Sequence, residues 1–419
     1  MISHSFLTDW KTIRWKNLHC LPAERSTAPP DVVSRKIPYL VLLSYENIAH
    51  YLLEKGLIDL ESIVRGEFSV RDQSSRNANF AVNREYRPAY LVKQVRAHDQ
   101  EKRETLRIEA TCYWLANNDE AYQVLRGFLP RYYEYDYLHH ILVLELLTEV
   151  QSLHDYYYRG AGTFPAIIAQ KLAELLASYH KHDLGAFEGQ RSFSLFKKRK
   201  PWVFTFTEEG LHDWLNNPML GNAEKQSVKL ILEHPEFMKH LRQLGEEWEA
   251  KSLIHGDIKF PNFLINSDFE SDSQPDIRLI DWELADIGDP LWDVAAIFQN
   301  YLSLWLNAEI GQRYHPAETM SVSLESLQPS MRAFWTRYVE LACWSPSEAR
   351  QKLEKSLRYT ALKLVHTCFE SVQGVNDMSL YGAKTLQLSL NLLNQPDVAI
   401  GDLLGIQTTA NRYATADPS

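Results

Sequence analysis

Cysteine is sparse in this chain of 419 residues, and its four examples are scattered: Cys20, Cys112, Cys343 and Cys368 form no CxxC pair and have no His-rich neighbourhood. That spacing excludes a zinc-ribbon site and a disulfide framework, and it fits a reducing, cytoplasmic setting. No basic leader precedes an apolar stretch with a small-residue cleavage site, and no run is apolar for long enough to span a bilayer. Neither secretion nor membrane insertion is expected. An excess of positive charge is missing too. The formal net charge of -10 argues against a surface that tracks nucleic acid, so no nucleic-acid partner is expected. There is no internal repeat and no low-complexity domain.

What remains is ordinary globular material, 45% hydrophobic and 23% charged, which supplies enough apolar surface for a sizeable core. The length exceeds that of one compact core, so two lobes are expected. Residues 1–35 mix charged, aromatic and turn-forming types up to the Ala28-Pro29-Pro30 break and read as an extension. A helix over Tyr45–Leu57, ended near Gly56, precedes three short strand-like runs at Phe68–Val70, Phe80–Val82 and Tyr90–Val95. A helix over Glu104–Leu115 and a strand over Ile141–Leu147 complete a smaller lobe, residues 36–147. Helical spacing then dominates a larger lobe, residues 148–400. Its clearest segments are Ala166–Tyr179, Ala223–Leu232, Met331–Ala342, Leu353–Glu370 and Leu380–Leu393. An Ala/Thr-rich tail occupies residues 401–419. The expected fold class is α+β, a small antiparallel sheet followed by a mostly helical lobe.

Two segments carry chemistry. The first, Leu253-Ile254-His255-Gly256-Asp257-Ile258-Lys259-Phe260-Pro261-Asn262-Phe263-Leu264-Ile265, is polar in the middle and apolar at both ends. The second, Ile277-Arg278-Leu279-Ile280-Asp281-Trp282-Glu283, is an apolar run that delivers carboxylates at its end. Phosphoryl transfer needs a group to orient and deprotonate a hydroxyl, plus oxygen ligands for the cations that neutralise phosphate charge. Asp257 suits the first task. Asn262 and Asp281 suit Mg2+, a hard cation, and Glu283 suits a second ion or its water shell.

Together these residues resemble the aminoglycoside phosphotransferase and choline kinase group of the protein-kinase-like superfamily. His255-Gly256-Asp257 followed by Asn262 is similar to the HGDxxxxN loop, Asp281-Trp282-Glu283 to the metal-binding motif, and Gly288-Asp289-Pro290 with Asp293 and Ala295 to the GDPxxDxA segment. The resemblance covers roughly residues 60 to 395. It implies a bilobal kinase-like fold with 36–147 as nucleotide-binding lobe and 148–400 as catalytic and acceptor-binding lobe, using ATP and Mg2+. It also implies that Lys93 on the third strand contacts ATP phosphates and pairs with Glu109. The strand ending at Glu145 and Leu147 would enter the adenine-binding hinge, Leu176–His180 would match the LAxLH helix, and Asp293 would brace the catalytic loop. Where the group often has phosphate-loop glycines, this chain has Ser74-Ser75-Arg76-Asn77-Ala78-Asn79, leaving Ser75, Asn77 or backbone amides for that task.

His255 reads as a structural donor in its loop rather than as a base, since Asp257 fits that role better. The basic run Lys197–Lys200, followed by Pro201-Trp202, reads as a solvated loop or as an attractor for acidic substrate against which the aromatic packs. Tyr156-Tyr157-Tyr158 reads as packing or partner contact. The acceptor stays open. The chain passes quickly from Asp281 to Gly288 without an APE-type activation segment, so no switch by loop phosphorylation is expected, and a hydroxyl-bearing small molecule is one acceptor. Lys259, two residues after Asp257, is similar to the HRDxKxxN lysine of Ser/Thr protein kinases. A Ser/Thr-containing peptide, phosphorylated before a partner lyase eliminates phosphate as in lanthipeptide-like biosynthesis, is therefore a second acceptor, with the 187–245 insertion available to hold it. A nucleotide-binding pseudokinase scaffold is the third reading.

Overall fold

The alternation read between residues 68 and 95 becomes three consecutive antiparallel strands, β1 (Phe68–Asp72), β2 (Ala78–Arg84) and β3 (Tyr90–Gln94). The computed structural model describes residues 41–73, 78–85, 88–96, 98–159, 162–181, 195–269, 274–314 and 322–407. The extension over 1–35, Ser75 and Asn77 of the phosphate loop, and the tail beyond 407 lie outside the described residues. Ahead of β1 stand α1 (Ile48–Glu54) and the short α2 (Leu60–Val64). Gly56, at φ 67°, follows the end of α1, donating its N–H to Leu53 O at 2.9 Å, as a left-handed glycine does after a helix.

Two further strands, β4 (Tyr132–Asp136) and β5 (Ile141–Glu145), complete a five-stranded antiparallel sheet in the order β1-β2-β3-β5-β4. In β3, Tyr90, Val92 and Gln94 are buried on one face, which puts Leu91 and Lys93 on the other. Register sets Lys93 between Asn79 and Leu142. Between β3 and β4 runs α3 (Gln100–Asn118), which starts earlier than its apolar spacing indicates because Asp99 caps it, accepting from Lys102 N at 3.1 Å. It packs on the short helical turn Trp282–Leu284, and that contact joins the sheet portion to the polar segment that ends at Asp281–Glu283.

Beyond β5 the chain makes β6 (Val150–Ser152), α4 (Leu153–Arg159) and α5 (Ala166–His180). Then follow α6 (Glu208–Asn216), α7 (Asn222–Leu232) and α8 (Pro235–Glu246). Small strands carry the two polar segments: β7 (Ser252–Ile254) pairs with β10 (Asp286–Gly288), while β8 (Phe263–Asn266) lies between β6 and β9 (Ile277–Leu279). The remainder is helical: α9 (Leu291–Tyr314), α10 (Leu324–Ala342), α11 (Pro346–Val372), α12 (Leu380–Asn394) and α13 (Pro396–Asp402). A small antiparallel sheet followed by a mostly helical portion is the architecture expected from the sequence. Helix α10 begins ahead of its expected start at Met331, because Ser323 caps it and Pro329 is accommodated inside.

Candidate active site

Strand β7 ends at Ile254, and the backbone turns at Gly256 with φ 80°. A Cβ placed there would stand 2.6 Å from Leu284 O, so only glycine fits between this loop and the Asp281–Leu284 turn. Asp293, at the start of α9 and fully buried, holds the same loop from behind: it accepts His255 N–H at 2.6 Å and Gly256 N–H at 3.1 Å. Tyr179 donates its hydroxyl to Asp293 at 2.9 Å, and His180 Nε2 lies 3.4 Å away. Burial works against this charge, but His180 first and Lys363 more weakly outweigh it and hold the Asp293 carboxyl below the usual carboxylate range.

The His255 ring spans both polar segments. Its Nδ1 accepts Asp257 N–H at 3.3 Å, which leaves the proton on Nε2, donated to Ile280 O at 3.0 Å. Complete burial pushes its pKa down, so the ring stays neutral, in the structural-donor role read for it in the sequence.

Asp257 faces two partners. Lys259 Nζ donates to its Oδ2 at 2.6 Å, and Asn262 Nδ2 donates to its backbone oxygen at 2.9 Å and lies 3.4 Å from the same carboxylate. Burial disfavours the Lys259 charge, but Asp257 offsets this and raises the lysine pKa. The loop is fixed further by Asn300 of α9, which accepts Phe260 N–H at 2.9 Å and donates to Ile258 O at 3.3 Å. With Nδ2 turned onto Asp257, Asn262 keeps Oδ1 as its acceptor, and its backbone oxygen receives Ile280 N–H at 3.0 Å, one residue before Asp281.

Asp281 sits in the left-handed region, φ 69° and ψ 53°, which aspartate tolerates better than most residues. Lys93 Nζ lies 2.7 Å from Glu109 Oε1 and 3.7 Å from Asp281 Oδ1. Burial opposes the lysine charge, but Glu109, Asp281 and Glu283 overcome it and raise its pKa. Glu283 is pushed up by burial and then by the Asp281 and Glu109 carboxylates. Lys93, Glu109, Asp257, Lys259, Asn262, Asp281 and Glu283 are thus linked through one network from two distant parts of the chain. Its carboxylates repel one another, and its donors are hard oxygens, a composition that fits Mg2+. No group of three His, Cys, Asp or Glu side chains among the described residues converges to hold a metal. Such a cation would draw its other ligands from phosphate and water.

Elsewhere the structure adds detail that the sequence did not disclose. Glu145 ends β5, but its carboxylate caps the sheet edge, accepting Arg131 N–H at 3.0 Å, and Leu147 lies in the link to β6. Trp202 packs against His366, with ring centres 4.6 Å apart, and against Phe206 and Phe369, instead of covering the basic run. Tyr157 is buried with its hydroxyl 3.0 Å from Tyr301, whereas Tyr158 is exposed. Lys363, on α11, donates to Gly256 O at 3.2 Å and lies 4.3 Å from the centre of the Trp292 ring. Its only mark in the sequence is a lysine interrupting the apolar run Ala361-Leu362-Lys363-Leu364-Val365.

A family model described as "Phosphotransferase enzyme family" matches residues 68–329. No curated protein matches the chain. Among solved structures it is similar to a choline kinase, LicA, from Streptococcus pneumoniae, with 16% identity, TM-score 0.43, and coverage of 82% of this chain and 99% of that one. It is also similar to a choline kinase from Cryptosporidium parvum Iowa II, with 15% identity, TM-score 0.48, and coverage of 86% and 99%. A third is the gentamicin complex of APH(2")-IIa, with 15% identity, TM-score 0.40, and coverage of 85% and 97%. At these values the neighbours say nothing of the acceptor, which has to be argued from the residues.

Proposed function

This chain belongs to the phosphotransferase enzyme family, and on that premise we propose that it is an ATP- and Mg2+-dependent kinase that phosphorylates a hydroxyl of a small organic molecule. The observation that carries the reading is the meeting of Lys93, from the small sheet, with Asp281, 3.7 Å away, beside the loop that presents Asp257.

In this reading Asp257 orients the acceptor hydroxyl and takes its proton as the oxygen attacks the γ-phosphorus of ATP. The bond to the β,γ-bridging oxygen breaks and ADP leaves with that electron pair. Lys93, fixed by Glu109, meets the nucleotide phosphates, and Lys259 stands next to Asp257, where it meets charge on the transferring group. Asn262 and Asp281 would hold Mg2+, with Glu283 beside them, and the cation supplies neutralisation of phosphate charge when bound. The hinge after Glu145 would receive adenine through backbone groups near Leu147.

The group that the chain resembles acts on small hydroxyl compounds, and the short passage from Asp281 to Gly288 leaves no room for an activation segment. A peptide Ser/Thr hydroxyl is the second reading, favoured by the 2.6 Å pair between Lys259 and Asp257. Intact-mass screening of metabolite and peptide pools with the protein and Mg-ATP tests both. A mass gain of one phosphate on a small molecule supports the first, and the same gain on peptides alone replaces it with the second. Nucleotide binding without transfer to any pool would make the protein a pseudokinase.

A further inference from the structure

The basic run Lys197-Lys198-Arg199-Lys200 plays no part in the chemistry above, yet its backbone is fixed. Asp286, the first residue of β10 and largely buried, accepts Lys198 N–H at 2.9 Å on one carboxylate oxygen and Arg199 N–H at 3.1 Å on the other. It also accepts its neighbour's Ile287 N–H at 2.8 Å, and the Arg199 Nε lies 3.6 Å away. Lys198 takes a left-handed conformation, φ 54°, which turns two successive amides toward one carboxylate. A buried carboxylate met by two amides of a distant segment is a strong attachment. Lys200 ties the other end by donating to Gly245 O at the end of α8.

From this anchored segment Lys197 reaches across to the sheet portion, where its Nζ lies 2.5 Å from Glu104 Oε2. Glu104 is on α3, the helix that carries Glu109. Its carboxyl is held below the usual range by Lys197 first and by Arg199 more weakly. The other anchor, β10, follows directly on the Asp281–Leu284 turn against which α3 packs. The segment therefore bridges the helix that fixes Lys93 and the strand that follows the proposed cation-holding turn.

We propose that residues 197–200 form a strap that positions α3, with Asp286 as its anchor and the Lys197–Glu104 pair as its reach, so that Glu109 stays against Lys93. An exposed ion pair adds little to global stability by itself. Its effect here is local, because it acts near the start of a helix that packs on the active-site turn. Lys197, Glu104 and Asp286 act through α3 and touch no reacting atom, so they are positioning residues.

The inference concerns the site of the proposed kinase reaction, but one of its tests needs no nucleotide. Amide hydrogen exchange of the nucleotide-free full chain is compared for wild type, Lys197→Glu, Glu104→Lys and the double variant carrying both. Either single reversal should speed exchange over residues 104–112 about fivefold, leave the exchange of α9 unchanged, and leave the thermal midpoint within a degree or so. The double variant, which restores the opposite charges, should return α3 to wild-type protection. Mg-ATP titration of the same four proteins should show affinity about fivefold weaker in the singles and recovered in the double. Unchanged α3 exchange in both singles, or a double variant that adds the two defects instead of cancelling them, overturns the strap. A wild type that binds no Mg-ATP, with α3 exchange still responding as described, overturns the kinase reading and leaves the strap standing.

Discussion

Lys93 and Asp281, from the third strand of the sheet and from the helical portion, stand 3.7 Å apart, and the same ammonium is 2.7 Å from Glu109. One cation therefore serves a buried carboxylate on one side and a half-open one on the other. Replacing it by Lys93→Met leaves Glu109, only 3% exposed, without its partner. The expected outcome is a loss of about 3 kcal/mol in urea unfolding, together with Mg-ATP affinity weakened by roughly tenfold or more. Unchanged unfolding would show that Glu109 is content uncharged.

Asp257→Asn keeps the shape of the loop and removes the proposed base. Transfer should slow by about 10^2- to 10^4-fold, with Mg-ATP affinity close to wild type. Steady-state rates beside a nucleotide titration separate the two, and a variant that transfers phosphate at full rate would disprove the role given to Asp257.

Asp281→Asn removes a charge from the proposed cation site and leaves the left-handed backbone tolerable. Nucleotide should still bind weakly, but Mg2+ should no longer strengthen that binding. Titrations with and without the cation read this directly, and a preserved Mg2+ effect would move the site elsewhere.

Asp293 contributes to stability against acid. Its folded-state carboxyl lies below its unfolded value of about 4, because His180 and, more weakly, Lys363 outweigh its burial. The stabilisation is therefore present above pH 4 and is lost as pH falls through the depressed folded value. Thermal midpoints measured downward from pH 7 should drop more steeply in wild type than in Asp293→Asn, which starts lower because His255 and Gly256 lose part of their acceptor.

Lys363 behaves oppositely. Burial lowers its pKa to about 8, despite the carboxylates of Asp293, Asp257 and Glu370. Between that value and about 10.4, where an unfolded lysine titrates, the unfolded chain holds a proton that the folded one has released. This group's contribution to stability thus rises with pH across that window. Unfolding free energies from pH 7 to 10 should carry this rise in wild type and lose it in Lys363→Met.

The residues legible in the sequence were those whose meaning is local. Asp257, Asn262 and Asp281 sit where apolar strand runs break into polar ends, so a short window identifies each, whereas Lys93, which alternates with the buried Tyr90, Val92 and Gln94, was singled out by the family resemblance. Lys363 and Asn300 had no such signal. They come from long helices, and what distinguishes them is the loop that tertiary packing places beside them. The basic run looked like a solvated loop because its four side chains are exposed, while its attachment runs through backbone amides that no residue type reveals. The Glu145 carboxylate likewise has a role that the sequence did not disclose, accepting the backbone N–H of Arg131.

Gly256 has no side chain to interpose, so its α-carbon rests against the carbonyl of Leu284. The spacing between the loop that carries Asp257 and the turn that carries Asp281 is consequently gauged by main chain against main chain. Mutational drift can re-dress either loop and reshape the walls that admit an acceptor, yet it cannot respace the pair. On the proposed reading, new acceptors would have to be acquired at the rim, while the spacing between Asp257 and Asp281 is kept.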